Sequence, residues 1–183
     1  MYTAYETDRL LLKVLGPSHA ELALDYYSRN RAFLEEWEPV REEAFYTLQS
    51  QRELLAQEQT DFESGRLFRA WIFKKGEEDR VIGTFGFSNI VRGAFLSCFL
   101  GYKLDGQETC KGYMTEALGR GIAVMFEDYG LHRIEANIMP KNKASLHVAE
   151  KLGFCNEGLS RKYLKINGIW EDHIHMVLLN DWV

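Results

Sequence analysis

Cys110-Lys111-Gly112-Tyr113-Met114-Thr115-Glu116-Ala117 is the stretch on which the reading turns, because two periodicities meet in it. From Met114 onward, Ala117, Leu118, Gly121, Ile122, Met125, Phe126 and Tyr129 recur at helical spacing, which predicts a helix with one buried face. Upstream lie three runs rich in aromatic and branched residues: Phe68 to Lys74, Arg80 to Ile90 and Ala94 to Leu104. Lys75-Gly76 and Arg92-Gly93 separate them, and such short turns predict an antiparallel meander. A helix that opens directly after a strand presents free backbone N–H groups and the positive end of its dipole. Gly112 lets the backbone come close to an anion there, and Lys111 adds a charge. The turn therefore suits a phosphate. Taken alone, it also fits an ordinary strand–helix connection.

Outward from that centre, Arg9 to Leu15 reads as a first strand, stopped by Gly16-Pro17. Ser18 is placed to cap a helix, with Glu21 in the capping-box position. Tyr46 to Glu63 reads as a second helix with Leu48, Leu54, Leu55 and Phe62 as its apolar positions. Downstream, Gly130 ends the long helix, His132 to Met139 reads as a strand stopped by Pro140, and Asn142 to Leu152 as a short helix ended by Gly153. Leu159 to Ile166 and Ile169 to Leu179 form a closing hairpin across Asn167-Gly168. The order β-α-α-β-β-β-α-β-α-β-β predicts one mixed α/β sheet. No repeat, low-complexity tract or linker divides the chain, so a single domain over residues 1–183 is expected.

Composition bounds the function. The chain has 183 residues, 46% hydrophobic and 27% charged, which is ordinary for a soluble globular protein. The net charge of −5 argues against a general nucleic-acid or anionic-membrane binder. Cys98, Cys110 and Cys155 are odd in number and widely spaced, which is neither a disulfide framework nor a zinc pattern. No run approaches the roughly 18 apolar residues of a membrane span. The start MYTAYETDRLLLK has no basic segment followed by an apolar one. A cytoplasmic protein with reduced thiols is expected.

The motifs together carry a resemblance. Thr7-Asp8-Arg9-Leu10-Leu11-Leu12-Lys13, Leu100-Gly101-Tyr102, Gly112-Tyr113-Met114-Thr115-Glu116-Ala117, Arg133-Ile134-Glu135-Ala136, Asn142 with Ala144-Ser145, Glu150-Lys151-Leu152-Gly153-Phe154, and Asn167-Gly168 with Asp172 follow one another in a fixed order. In that order and spacing the chain resembles the GNAT acetyltransferase superfamily, and within it the ribosomal-protein N-terminal acetyltransferases of the RimJ/RimL type. The resemblance covers nearly the whole chain. It implies a GNAT fold: a single mixed sheet of about seven strands flanked by about four helices, splayed into a V between the fourth and fifth strands. The family's pyrophosphate motif is Q/R-x-x-G-x-G/A, and aligning Gly112 with its first Gly puts Thr109 at Gln/Arg and Met114 at Gly/Ala, two departures from it.

The resemblance also implies roles. Acetyl-CoA would lie in the V, its pantetheine arm paired with the backbone of Leu100, Gly101 and Tyr102. The amides of Cys110, Lys111, Gly112, Tyr113, Met114 and Thr115 would hold its pyrophosphate, and Asn142 would orient its arm. Acetyl transfer needs an amine relieved of its proton, donors for the oxyanion and a proton for the leaving thiolate. Glu135 matches a general-base position; the competing reading is a surface carboxylate on an amphipathic strand. The tyrosine that often protonates the thiolate is replaced here by Ala149, and Ser145 takes the position beside the sulfur; otherwise Ser145 only hydrogen-bonds near its helix start. Trp37 and Asp172 would face the acceptor amine, Trp37 being otherwise a loop-packing residue. Glu171, His173 and His175 alternate along a strand and read as packing residues rather than ligands, so no metal is expected. The acceptor would be an amine, most simply a protein N-terminus; a small amine or a non-catalytic acyl-CoA-binding module remains an alternative. A monomer or a homodimer fits equally.

Overall fold

The computed structural model describes residues 3–182. Eight strands form one sheet: β1 (Ala4–Glu6), β2 (Leu10–Lys13), β3 (Phe68–Lys74), β4 (Glu77–Val91), β5 (Ser97–Leu104), β6 (Arg133–Ile138), β7 (Cys155–Ile166) and β8 (Ile169–Leu179). Four helices accompany them: α1 (Ala20–Leu34), α2 (Leu48–Glu63), α3 (Tyr113–Glu127) and α4 (Lys143–Lys151). The strand order is β1-β2-β3-β4-β5-β6-β8-β7. Every neighbouring pair is antiparallel except β5 and β6, which run parallel with α3 as their crossover.

β3 reads as an almost unbroken apolar run because both of its faces are covered. Phe68, Ala70 and Ile72 join the core beneath α3 and α4, while Trp71 and Phe73 join a second cluster beneath α1 and α2. That second cluster contains no residue of β5, β6, β7 or β8. α3 buries Met114, Ala117, Leu118, Gly121, Ile122, Val124 and Met125, the stripe its periodicity predicts. Gly121 sets how close that helix lies to the sheet: a Cβ there would stand 2.6 Å from the Phe85 ring.

Three expectations are corrected. The sheet has eight strands, not about seven, because Ala4–Glu6 adds an edge strand to β2. Three residues are too short to show a period. The splay consequently lies between β5 and β6, which are the same two segments as expected. Ser18 does not cap a helix: Pro17–His19 forms a 3-10 turn behind Gly16, and α1 begins only at Ala20. The helix expected from Tyr46 is interrupted. Glu43–Tyr46 is a 3-10 turn, Thr47 is extended, and the Thr47 hydroxyl accepts from Ser50 N–H to cap α2.

Candidate active site

β5 and β6 pair only through Ser97–Arg133, Cys98–Ile134 and Phe99–Glu135. Past that point β5 continues with β4 to Leu104, and β6 continues with β8 to Ile138. The backbone of Leu100–Leu104 thus keeps an edge with no strand partner, which an extended arm can pair by strand addition. A Cβ at Gly101 would meet nothing within 4 Å, so the gap is open there.

At one end of the gap stands the turn into α3. Gly112 is its N-cap residue at φ 80°, and Cys110 also has a positive φ of 61°. Both conformations turn successive backbone N–H groups outward. None of the N–H groups from Cys110 to Thr115 has a hydrogen-bond acceptor among the described residues. This fits a polyanion held by main chain. Lys111 does not point at the turn unpaired: its ammonium is 2.9 Å from Glu108, whose other oxygen faces Lys74 at 3.5 Å. Hydrogen bonding to Lys111 holds the Glu108 carboxyl below the usual glutamate range against the opposing effect of burial.

The turn is braced from the far edge of the sheet. Glu116 in the first turn of α3 accepts from the Thr7 hydroxyl at 2.6 Å, from Arg9 N–H at 2.9 Å and from Arg9 Nε at 2.6 Å. Arg9 in turn donates from Nη1 to the Lys111 carbonyl at 3.1 Å and lies 4.6 Å over the Tyr113 ring. The opening Thr7…Arg9 motif and the Gly112…Glu116 motif are therefore two halves of one contact. More than a hundred residues separate them in the sequence, so no local pattern joins them.

At the other end, Ser145 and Tyr102 meet across the gap. Ser145 Oγ donates to the Tyr102 hydroxyl at 2.7 Å, and that hydroxyl donates to the Ser145 carbonyl at 2.9 Å. Burial pushes the Tyr102 phenol up to about 12, with the Ser145 hydrogen bond pulling the other way, so it stays protonated. Tyr102 was expected to contribute backbone alone. Asn142 caps α4 by accepting from Ser145 N–H at 3.1 Å, which fixes where the Ser145 side chain emerges.

The opposite face of the sheet carries Arg133, Glu135 and Asn137 of β6 and, by register, His175 of β8. Glu135 accepts from Arg133 at 2.9 Å and from His175 Nδ1 at 2.6 Å. Burial alone would raise its carboxyl, but these hydrogen bonds and the facing charges outweigh it and hold Glu135 below the usual range. His175 Nε2 is 2.6 Å from Ser160 Oγ, an arrangement not foreseen from sequence. Asn137 donates to the Tyr163 hydroxyl at 3.4 Å, and its own Oδ1 is buried with no hydrogen-bond partner.

On that same face a cleft of about 310 Å³ opens beside Gly101 and Tyr102, lined also by Trp37, Glu38, Arg69 and Lys103. Glu38 pairs with Lys103 at 2.5 Å. The Trp37 segment is held by the tip of the closing hairpin. Asn167 donates to the Glu35 carbonyl at 2.5 Å and accepts from Val40 N–H at 2.8 Å. Asp172 does not line the cleft; its carboxylate accepts from Lys162 N–H at 2.8 Å, at an irregularity of the β7–β8 pairing. Glu171 is paired with Lys141, and His173 and His175 both pack against Tyr163. Among the described residues no group of three His, Cys, Asp or Glu side chains is placed to hold a metal ion, and no helix is long and apolar enough to cross a membrane.

Comparison with known proteins agrees with this fold. Residues 9–155 match the family described as acetyltransferase (GNAT) domain. The [ribosomal protein uS5]-alanine N-acetyltransferase of Escherichia coli (strain K12) is 39% identical over 177 residues, covering 96% of this chain and 91% of that protein. The structure of the ribosomal-protein-S5-alanine acetyltransferase from Vibrio fischeri superposes with a TM-score of 0.93 at 37% identity, covering 98% of both chains. Mycobacterium smegmatis RimJ, in complex with CoA-disulfide, superposes with a TM-score of 0.88 at 27% identity, covering 95% of this chain and 83% of that one.

Proposed function

The chain belongs to the GNAT acetyltransferase family, and from that premise we propose that it moves the acetyl group of acetyl-CoA to the N-terminal α-amine of a protein, a ribosomal protein first among them. The enzyme is an acetyltransferase, and acetyl-CoA is its acetyl donor. The acceptor reading is carried by one observation: the sheet face beside the gap is left open by α1 and α2, whose cluster includes nothing from β5 to β8. An extended protein terminus has room to approach there, in the cleft between the Trp37 segment and strands β4 and β5. The relatives named for acetylating ribosomal protein alanine support the same reading. We place this activity in the cytoplasm and in one domain spanning the chain.

In this reading the free N–H groups of Cys110 to Thr115 hold the pyrophosphate, and the open edge of Leu100–Tyr102 aligns the pantetheine arm. The amine attacks the thioester carbonyl directly, and Ser145, backed by Tyr102, hands a proton to the departing thiolate. A thiol-release assay with acetyl-CoA against Ala- and Ser-starting peptides, spermidine, aminoglycosides and free amino acids tests it. Turnover restricted to the peptides is the expected result. Turnover restricted to small amines would replace the acceptor, and no CoA release with any amine would leave only an acyl-CoA-binding module.

A further inference from the structure

Within the protein-terminus reading, on which this inference rests, we infer that Asn167 is a positioning residue for the acceptor. From the tip of the closing hairpin it clasps the Trp37 segment in place as one wall of the acceptor cleft. Asn167-Gly168 makes the tight turn between β7 and β8, with φ 50° at Asn167 and 84° at Gly168. Turn chemistry accounts for an asparagine there, and it would account equally for an aspartate or a glycine. It does not account for the reach of the side chain. Nδ2 donates to the Glu35 carbonyl at 2.5 Å, and Oδ1 accepts from Val40 N–H at 2.8 Å. An aspartate could keep only the second bond and a glycine neither, so both bonds together require the amide.

The two bonds fall on either side of Trp37 and Glu38, which line the cleft. At its near end the segment is still carried by α1: the N–H groups of Trp37 and Glu38 both donate to the Leu34 carbonyl. Past Glu38 that support ends. Pro39 has no N–H to donate, and Val40 N–H goes to Asn167. Glu38 ties the segment to β5 through Lys103 at 2.5 Å. Among the described residues, no hydrogen bond or ion pair other than those of Asn167 joins residues 35–42 to β6, β7 or β8. The wall is thus anchored from both sides of the gap, from β5 by Lys103 and from the β7–β8 hairpin by Asn167.

This placement gives the clasp its task. Asn167 and Val40 are exposed, and exposed hydrogen bonds add only modestly to the stability of a whole fold. Their effect on a short segment is larger. A wall that is in place for only a fraction of the time weakens binding of the acceptor by that same fraction. Acetyl-CoA binding does not depend on the clasp, because the turn into α3 and the edge of Leu100–Tyr102 make no hydrogen bond with Asn167.

Steady-state kinetics with acetyl-CoA and an Ala-starting peptide check this in Asn167→Gly, a change that suits the left-handed backbone and spares the turn. The KM for the peptide should rise roughly 10-fold, while kcat and the KM for acetyl-CoA stay near wild type. An unchanged peptide KM overturns the proposal. So does a KM for acetyl-CoA that rises as far as the peptide KM together with a lower urea midpoint, since that pattern marks a general loosening. Hydrogen exchange gives a second measurement, on the wild type. A peptide that binds only the clasped form must hold the clasp shut, so saturating peptide should slow exchange of the Val40 amide. Exchange at Val40 that is indifferent to the peptide also overturns the proposal. A wild type that releases no CoA with peptides sinks the acceptor reading together with this one. A wild type active on peptides, with the same peptide KM in Asn167→Gly, sinks this one alone.

Discussion

In the proposed mechanism Ser145 and Tyr102 together supply a proton donor from across the gap. The helix position that carries a tyrosine in related enzymes is Ala149, buried beneath the sheet. A phenol instead reaches α4 from β5, held 2.7 Å from Ser145 Oγ. With its proton affinity pushed up to about 12, Tyr102 remains a donor throughout the working range. Ser145→Ala and Tyr102→Phe should each lower kcat by roughly 10- to 100-fold, the range expected for loss of one proton-transfer group. The KM for acetyl-CoA should change little in either variant, because neither hydroxyl supports the pyrophosphate turn. Steady-state kinetics at saturating peptide would check this, and an unchanged kcat in both would remove the pair from the chemistry.

At the scale of elements, the N-terminus of α3 depends on the turn between β1 and β2. Gly112 sits at φ 80°, and a Cβ there would come within 3.4 Å of Arg9 Nη2. Left-handed backbone costs an alanine about 1–2 kcal/mol, so Gly112→Ala should raise the KM for acetyl-CoA roughly tenfold. Arg9→Ala should act on the same parameter, by removing the guanidinium from the Lys111 carbonyl and from one oxygen of the Glu116 carboxylate together. Both variants should keep kcat near wild type at saturating acetyl-CoA; a loss confined to kcat would contradict the bracing role. The other end of the helix–sheet contact gives a stability test. Gly121→Ala places a methyl 2.6 Å from Phe85, a buried ring with no room to retreat. Overpacking of this kind costs about 1–3 kcal/mol, which urea unfolding would read as a lower midpoint.

Over the whole molecule, carboxylates bind its distant parts together. Asp105 accepts from Arg29 of α1 and from Arg80 of β4, fixing the loop that leads to the turn into α3. Burial alone would raise its carboxyl, but the Gln107 N–H and both guanidinium groups outweigh that and hold it below the usual aspartate range. Glu108, Glu116 and Glu135 are held low as well. A carboxyl depressed in the folded state stabilises fully above its unfolded value of about 4, and that stability is lost as pH falls through the lower folded value. Urea midpoints should therefore stay level from neutral pH down to about pH 5 and drop progressively below about pH 4. A midpoint rising on acidification would contradict this sign.

The sequence by itself determined the order of the elements, the buried stripe of α3, the strand–turn–helix at Gly112 and the closing hairpin, because each is written in local period, turn chemistry or capping. It also contained the family resemblance, and with it the acetyl donor. Short or irregular pieces escaped it: β1 is three residues long, and the 3-10 turns before α1 and α2 carry no period of their own. Only the tertiary structure decided which motifs touch. Thr7 and Arg9 grip Glu116, Tyr102 meets Ser145, and Glu135, His175 and Ser160 line up across three strands. The physical reason is that these contacts depend on strand register and on where β5 parts from β6. Register arises from the packing of the whole sheet rather than from any one of its segments.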